Sequence, residues 1–291
     1  EESADKKTWT FVLRDGLSFH DGKPVTAEDC AASLTRWTKR DGMGQQLATI
    51  IESITGRDAK TLEIKLKRPY GLLLDSIGKI SSNVPFIMPK ALAEPDPFKQ
   101  VENSIGSGPF IFKRDEWKPG EKTVYVKNPK YKPRGEPASG LAGGKVVKLE
   151  RVEWKVLGDH QTAVNALLNG EIDMIESPPH DLLPVLAKDK NVKLFSANPL
   201  GNQYTFRFNT LHKPFDNAKV RQAVLYAYNQ KVFLNPVTGD PKWYKECKAM
   251  FICGTPLETS KGWEDKLSST FGKSEALLKE AGYDGTPVVL M

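Results

Sequence analysis

The chain has 291 residues, of which 39% are hydrophobic and 27% charged, a composition typical of globular proteins with length for up to three domains. It contains no apolar run near the roughly 18 residues that a membrane span needs. Its first residues lack the apolar core of a signal peptide, so we expect that any signal peptide has been removed or lies upstream. Basic residues exceed acidic ones, 42 against 36, but they alternate along strands without clustered aromatic residues, which argues against nucleic-acid binding.

The first part of the chain predicts two strands and a capped helix. Residues 9–13 and 62–66 alternate apolar and polar side chains, as half-buried strands do. Thr26 with Asp29 three residues later matches a capping box, which predicts a helix from Thr26 to Lys39. The glycine-rich stretch RDGMGQ is expected to end this helix. Its predicted apolar face consists of Cys30, Leu34 and Trp37.

The middle of the chain predicts an irregular connection, a hairpin and a linker. The stretch SSNVPFIMPKAL at 81–92 contains two prolines and leads into a short helix. Alternating apolar residues at 110–112 and 124–126 flank the Pro119-Gly120 turn, which is typical of a β-hairpin. Residues 132–144 are rich in proline and glycine and mark the best candidate domain boundary.

Beyond this linker, strands and helices are expected to alternate. Strands are predicted at 152–156, 172–175 and 192–195, with helices after Asp159 and at 181–188 between them. This βαβαβ order predicts parallel strands joined by right-handed crossovers. Ligands of such sheets bind beyond the carboxyl ends of the strands.

The last third of the chain predicts two strands and two helices. NQYTFRFNT at 202–210 alternates as a strand, and a helix capped by Asp216 or Asn217 follows. A final helix closes at Gly282 and leads into the apolar strand PVVLM at 287–291. Because this strand has no later elements to cover it, we expect the chain to be a truncated piece of a longer protein.

Two of the three cysteines are close enough in the sequence to form a disulfide. Cys247 and Cys253 flank a short loop whose closure by a disulfide would stabilise the fold by about 2 kcal/mol and would indicate an oxidising compartment. Zinc binding is the alternative, but zinc needs about four ligands and His212 is the nearest histidine. We therefore favour the disulfide and interpret Cys30 as a small buried hydrophobic residue.

No catalytic motif stands out. The four histidines lie outside any HExxH pattern, and no serine lies in GxSxG. The pair Glu171 and Asp173 follows a helix-ending glycine and is interpreted as solvated. The sequence therefore predicts neither an enzyme nor a cofactor.

Five collinear segments carry a family resemblance. They read WTFVLRDGLSFHDGKPVTAEDCAASL at 9–34, IGSGPFIF at 105–112, VYVKNPKY at 124–131, QTAVNALLNGEIDMI at 161–175 and FNTLHKPFDNAKVRQAVLYAYN at 208–229. With these segments the chain resembles the family 5 solute-binding proteins of ABC transporters, which bind peptides, nickel complexes and oligopeptides. Family members are longer at both ends, and Cys30 replaces a larger apolar residue.

The resemblance implies a fold class and a domain plan. The fold would be α/β and periplasmic binding protein-like, of type II, with mixed sheets, flanking helices and several domains, here truncated. Residues 1–131 would form a small domain packed on the first lobe, and residues 132–197 the βαβαβ part of that lobe. Residues 198–291 would form the beginning of the second lobe.

The resemblance also implies ligand-contacting positions where connections face the cleft between lobes. An aromatic side chain beside an amide is a usual composition of such pockets. The FHDGKPVTAED corner at 19–29 is expected to be scaffold. The predicted ligand-binding residues are Asn202, Tyr204, Ser81, Ser82, Asn83, Asp41 and Met43.

The function implied is that of the solute-binding component of an ABC importer. Such a protein, periplasmic or lipid-anchored at the cell surface, would close around a small solute, a peptide first of all, and deliver it to the permease subunits at the inner membrane. It would act as a monomer and bind no nucleic acid. A soluble enzyme on a related scaffold is the alternative.

Overall fold

The computed structural model describes residues 1–80, 82–140 and 142–289. The chain divides into two compact units, Glu1–Val156 and Leu157–Met291, which we call the N-terminal and the C-terminal unit. In the part of the chain described here, no helix combines the length and apolarity needed to cross a membrane. The three-domain division remains a prediction.

The N-terminal unit is built on a three-stranded antiparallel sheet. Its strands are β1 (Thr8–Val12), β2 (Ile51–Gly56) and β3 (Thr61–Leu66), in the order β1-β3-β2. The predicted alternation is confirmed in β3, whose apolar side chains are buried, while β2 was missed. Helix α1 (Ala27–Arg40) packs on the sheet. The buried residues of this core are Ala27, Cys30, Ala31, Leu34, Ile50, Leu62, Ile64 and Leu66.

Helix α1 begins with the predicted capping box. The amide of Asp29 donates to Thr26 Oγ1 at 3.3 Å, and the amide of Thr26 donates to Asp29 Oδ2 at 2.8 Å. The other carboxylate oxygen of Asp29 accepts from the amide of Lys90 at 2.7 Å. One short side chain therefore satisfies two orphan amide groups and joins the start of α1 to a distant segment.

The glycine-rich stretch after α1 is helical, which corrects the sequence expectation. α1 does end at Arg40, but Gly42–Ala48 forms helix α2 with Asp41 as its N-cap. A β-carbon at Gly44 would lie 2.8 Å from the carbonyl oxygen of Trp37, so glycine permits the two helices to approach closely. The stretch therefore turns the chain and packs a second helix, with Leu47 buried.

Two short helices and a second sheet complete the N-terminal unit. The helices are α3 (Leu73–Ile77), which was not predicted, and α4 (Lys90–Ala93), which was. Strands β4 (Phe110–Phe112) and β5 (Lys122–Lys127) form the predicted hairpin. Strand β6 (Arg151–Lys155) pairs antiparallel with β5 and so belongs to this hairpin sheet.

The predicted βαβαβ arrangement is therefore wrong in this structure. Helices α5 (His160–Leu168) and α6 (Leu183–Leu186) are present, and Asp159 caps α5, but residues 172–175 and 192–195, all described, form no strand. Alternation predicts which side chains face the core but not which strand supplies the hydrogen bonds. Three apolar side chains of these segments, Ile175, Val192 and Leu194, do reach the core, where they pack around Val164, Leu183 and Leu186.

The main regular elements described in the rest of the C-terminal unit are helices, joined by long irregular segments. Helix α7 (Ala218–Ala227) is capped by Asn217, one of the two predicted caps, and packs against α9 (Phe271–Glu280). Helix α8 (Gln230–Thr238) was not predicted. The expected strand at 202–210 is absent from the described structure, because its backbone has no ladder partner there. Residues 287–289 are likewise irregular, and the last two residues of that predicted strand lie outside the described residues.

Candidate functional site

Asp41, one of the predicted site residues of the N-terminal unit, forms a buried ion pair with Lys79. Asp41 is 4% exposed and accepts hydrogen bonds from the amides of Met43 at 2.9 Å and Gly44 at 3.0 Å. Lys79 Nζ donates to the second carboxylate oxygen at 2.6 Å and lies 6.0 Å from the centre of the Trp37 ring. Asp41 is thus the cap of α2 and the anchor for the segment after α3.

The charge of Asp41 is stabilised by these donors. Burial raises the pKa of a carboxyl group, but the hydrogen bonds from Lys79 and from the amide of Gly44 outweigh burial here and hold the pKa of Asp41 below its ordinary value. The carboxylate is therefore ionised near neutral pH, with its acceptor positions directed at protein groups. This arrangement favours a structural role for Asp41 over direct contact with a solute.

The neighbouring predicted residues are more accessible. Met43 is 44% exposed on α2, and Ser82 and Asn83 are exposed in the connection after α3. Trp37 Nε1 donates to the carbonyl oxygen of Asn83 at 2.5 Å, which ties this connection to α1 and leaves the Asn83 side chain at the surface. Ser81, also predicted, lies outside the described residues.

In the C-terminal unit, Asn202 and Tyr204 lie on one irregular segment. Tyr204 is 75% exposed, and Asn202 accepts a long hydrogen bond of 3.4 Å from the side chain of Asn198. Their polar and aromatic groups are therefore available to a ligand. Their role as ligand contacts remains a prediction.

Behind this segment lies a cluster of three aromatic rings that the sequence did not reveal. Tyr228 and Phe233 stack with their ring centres 4.3 Å apart, and Phe206 meets Tyr228 edge-on at 5.4 Å. Burial raises the pKa of the Tyr228 hydroxyl above its ordinary value. The cluster joins the segment at Phe206 to α8, which carries Phe233.

The predicted disulfide between Cys247 and Cys253 is present. Gln230, the first residue of α8, holds its loop through two hydrogen bonds to the backbone of Cys247. The side-chain amide donates to the carbonyl oxygen at 2.6 Å, and the amide oxygen accepts from the Cys247 amide at 2.7 Å. A glutamine just after the N-cap Asn229 gave no signal in the sequence, because its partner is distant in the chain.

Neither unit offers a metal centre in its described part. No group of three or more His, Cys, Asp or Glu side chains within residues 1–80, 82–140 and 142–289 is arranged to hold an ion. Cys30 is buried, and burial, followed by the nearby Asp29 carboxylate, raises the pKa of its thiol to about 11. This thiol is therefore poorly suited to nucleophilic or metal chemistry.

Comparison with known proteins identifies the family. The model of the bacterial extracellular solute-binding proteins, family 5 Middle, matches residues 1–290. The chain belongs to this family, whose structures are type II periplasmic binding proteins of mixed helix and sheet.

Curated relatives are named as binding proteins. The chain is 44% identical over 293 residues to the "Probable peptide ABC transporter periplasmic-binding protein y4tO" of Sinorhizobium fredii, a match that covers 99% of this chain and 54% of the relative. It is 29% identical over 297 residues to the glutathione-binding protein GsiB of Shigella flexneri, with 97% and 51% covered. The chain thus spans about half the length of the curated relatives it matches.

A solved structure shows the same fold. The binding protein AgaA of A. tumefaciens R10, in complex with agropinic acid, superposes with a TM-score of 0.72 at 27% identity, and the match covers 97% of this chain and 54% of AgaA. The named ligands of these relatives therefore include peptides, glutathione and agropinic acid.

Proposed function

We propose that this chain is part of the solute-binding component of an ABC importer. The complete protein captures a small solute, a short peptide first of all, between two lobes and delivers it to permease subunits at the inner membrane. Ligand that contacts both lobes stabilises the closed state through its differential contacts, so capture and closure are coupled. No bond of the solute is broken.

The observation that carries this proposal is the family match over residues 1–290, together with 44% identity to a relative named as a peptide-binding protein. The disulfide supports a periplasmic or cell-surface location, because disulfides persist in oxidising compartments. A binding protein of this kind acts as a monomer and meets its permease only transiently.

Within this function, Asn202 and Tyr204 are the proposed solute contacts of the C-terminal unit. Tyr204 offers a large exposed ring, and Asn202 offers both donors and acceptors for a peptide bond. Ser81, Ser82, Asn83 and Met43 are the proposed contacts of the N-terminal unit. Asp41 supports this unit by accepting from the Met43 amide and from Lys79.

Calorimetric titration tests the function. The protein is titrated with dipeptides, tetrapeptides, glutathione and agropinic acid, beside a Tyr204→Ala variant and the control Phe271→Ala, which removes another exposed aromatic ring of the same unit. We expect at least one peptide to bind, and Y204A to weaken that binding about tenfold or more while F271A leaves it unchanged. Equal affinity in all three proteins would remove Tyr204 from the site.

A further inference from the structure

Side chains, and not a β-ladder, hold the segment that carries Asn202 and Tyr204. Among the described residues, the backbone of 202–208 makes no hydrogen bond to other backbone groups. Secondary structure therefore does not fix the position of this segment. Its placement depends on what its side chains contact.

Three side chains in or just before the segment reach the rest of the unit. Leu200 Cδ2 lies 3.6 Å from the position that a β-carbon on Gly254 would occupy. Gln203 Nε2 donates to the carbonyl oxygen of Ala249 at 3.5 Å, and Phe206 meets the aromatic cluster described above. Ala249, the partner of Gln203, therefore lies in the disulfide-closed loop 247–253, and Gly254, the neighbour of Leu200, directly follows that loop.

The loop is itself anchored at its first cysteine. Both polar atoms of the Gln230 side chain bond the backbone of Cys247, at 2.6 and 2.7 Å, and so attach the loop to the first turn of α8. Lys248 Nζ donates to Ser268 Oγ at 2.8 Å, which attaches the loop to the segment before α9. Because the disulfide joins the loop ends, Ala249 is held from both sides and is 5% exposed.

We propose that Gln230 is a positioning residue for solute binding, and that it acts through the disulfide-closed loop. Gln230 fixes Cys247, the closed loop fixes Ala249 and Gly254, and these residues fix Leu200 and Gln203 on either side of Asn202. This inference rests on the proposed solute-binding function and deepens it, since it names a support that contacts no solute.

The order parameters of the Asn202 and Tyr204 backbone amides test the support directly, without ligand. They are measured by ¹⁵N relaxation in the wild type, in Gln230→Ala and in Cys247→Ser/Cys253→Ser. The control is Gln222→Ala, which removes an exposed glutamine from α7. We expect values near the rigid-backbone figure of about 0.85 in the wild type and in Q222A, and below about 0.6 in Q230A and in the cysteine variant.

In a second experiment, calorimetry measures the binding of the dipeptide L-alanyl-L-phenylalanine to the same proteins. We expect Q230A to bind about tenfold more weakly than the wild type, and Q222A to bind as the wild type does. The order parameters distinguish this effect from a general loss of stability. A general loss would not confine the loss of backbone order to Asn202 and Tyr204 while the amides of α7 stay rigid.

The outcomes separate the two proposals. Low order parameters in the wild type, or equal values in wild type and Q230A, overturn the positioning role. Undiminished dipeptide affinity in Q230A overturns it as well. If the wild type does not bind the dipeptide, that result counts against the proposed function, while the order parameters still decide whether Gln230 holds the segment.

Discussion

Asp41 accepts three hydrogen bonds with one buried carboxylate, from two amides of its own helix and from Lys79. The sequence drew attention to Asp41 as a polar residue in a loop, and the structure places it as the cap of a helix. The cap itself is made by amides two and three residues later, whereas the ion pair depends on Lys79, which lies 38 residues later and whose proximity no local pattern reveals. Asp41 therefore fixes the start of α2 and the position of Lys79.

Asp41→Asn is expected to destabilise the protein at neutral pH. Asparagine still caps α2, but the ion pair with Lys79, a side chain 17% exposed, is lost. The free energy of unfolding, measured by urea denaturation at pH 7, should fall by about 2 kcal/mol. The control Asp75→Asn, at an exposed position on α3, should change it by less than about 0.5 kcal/mol.

The pH dependence of the D41N effect has a defined sign. Because the folded-state pKa of Asp41 is lowered, its contribution to stability is fully present above the unfolded carboxyl pKa of about 3.9 and is lost as the pH falls through the folded value. The difference between wild type and D41N should therefore shrink below about pH 4. A difference that stays constant from pH 7 to pH 3 would contradict the assignment.

Elements with local sequence signals were predictable. They are helix α1, the hairpin of β4 and β5, and the capped starts of α5 and α7. Each signal involves residues only a few positions apart: the Thr26–Asp29 pair, the Pro-Gly turn, and the aspartate before the apolar face of α5. The strands expected at 172–175 and 192–195 were wrong because a strand needs a partner that its own sequence does not specify. The aromatic cluster and the bonds of Gln230 to Cys247 escaped prediction for the same reason, because they join residues far apart in the chain. Tyr204 was named as a ligand contact from the family resemblance, and this role remains a prediction.

Thr26→Ala tests the capping box of α1. The variant loses the acceptor for the Asp29 amide and should lower the free energy of unfolding by about 1 kcal/mol. Thr35→Ala is the matched control, because Thr35 lies at an exposed position inside α1 and its hydroxyl donates to the Ala31 carbonyl of the same helix. Alanine has the higher helix propensity, so T35A should be neutral or slightly stabilising. Equal losses in the two variants would show that the cap contributes nothing specific.

The chain as a whole spans about half the length of its curated relatives, yet the family model covers residues 1–290. Membership in the family is therefore secure for this stretch, and capture of a solute is a property proposed for the complete protein. Each of its two units carries proposed solute contacts of its own. Met43, Ser82 and Asn83 belong to the N-terminal unit, and Asn202 and Tyr204 to the C-terminal unit.

Native mass spectrometry tests the central claim most directly. The 291-residue chain is compared with a chimera in which the segments of the Sinorhizobium fredii relative that lie outside the match extend it to the relative's length. Each protein is incubated with the peptide, glutathione and agropinic acid panel. We predict that the chimera retains a peptide as an intact, unmodified mass. If the chimera retains no panel member, or converts one into a product, the proposal of solute capture is contradicted.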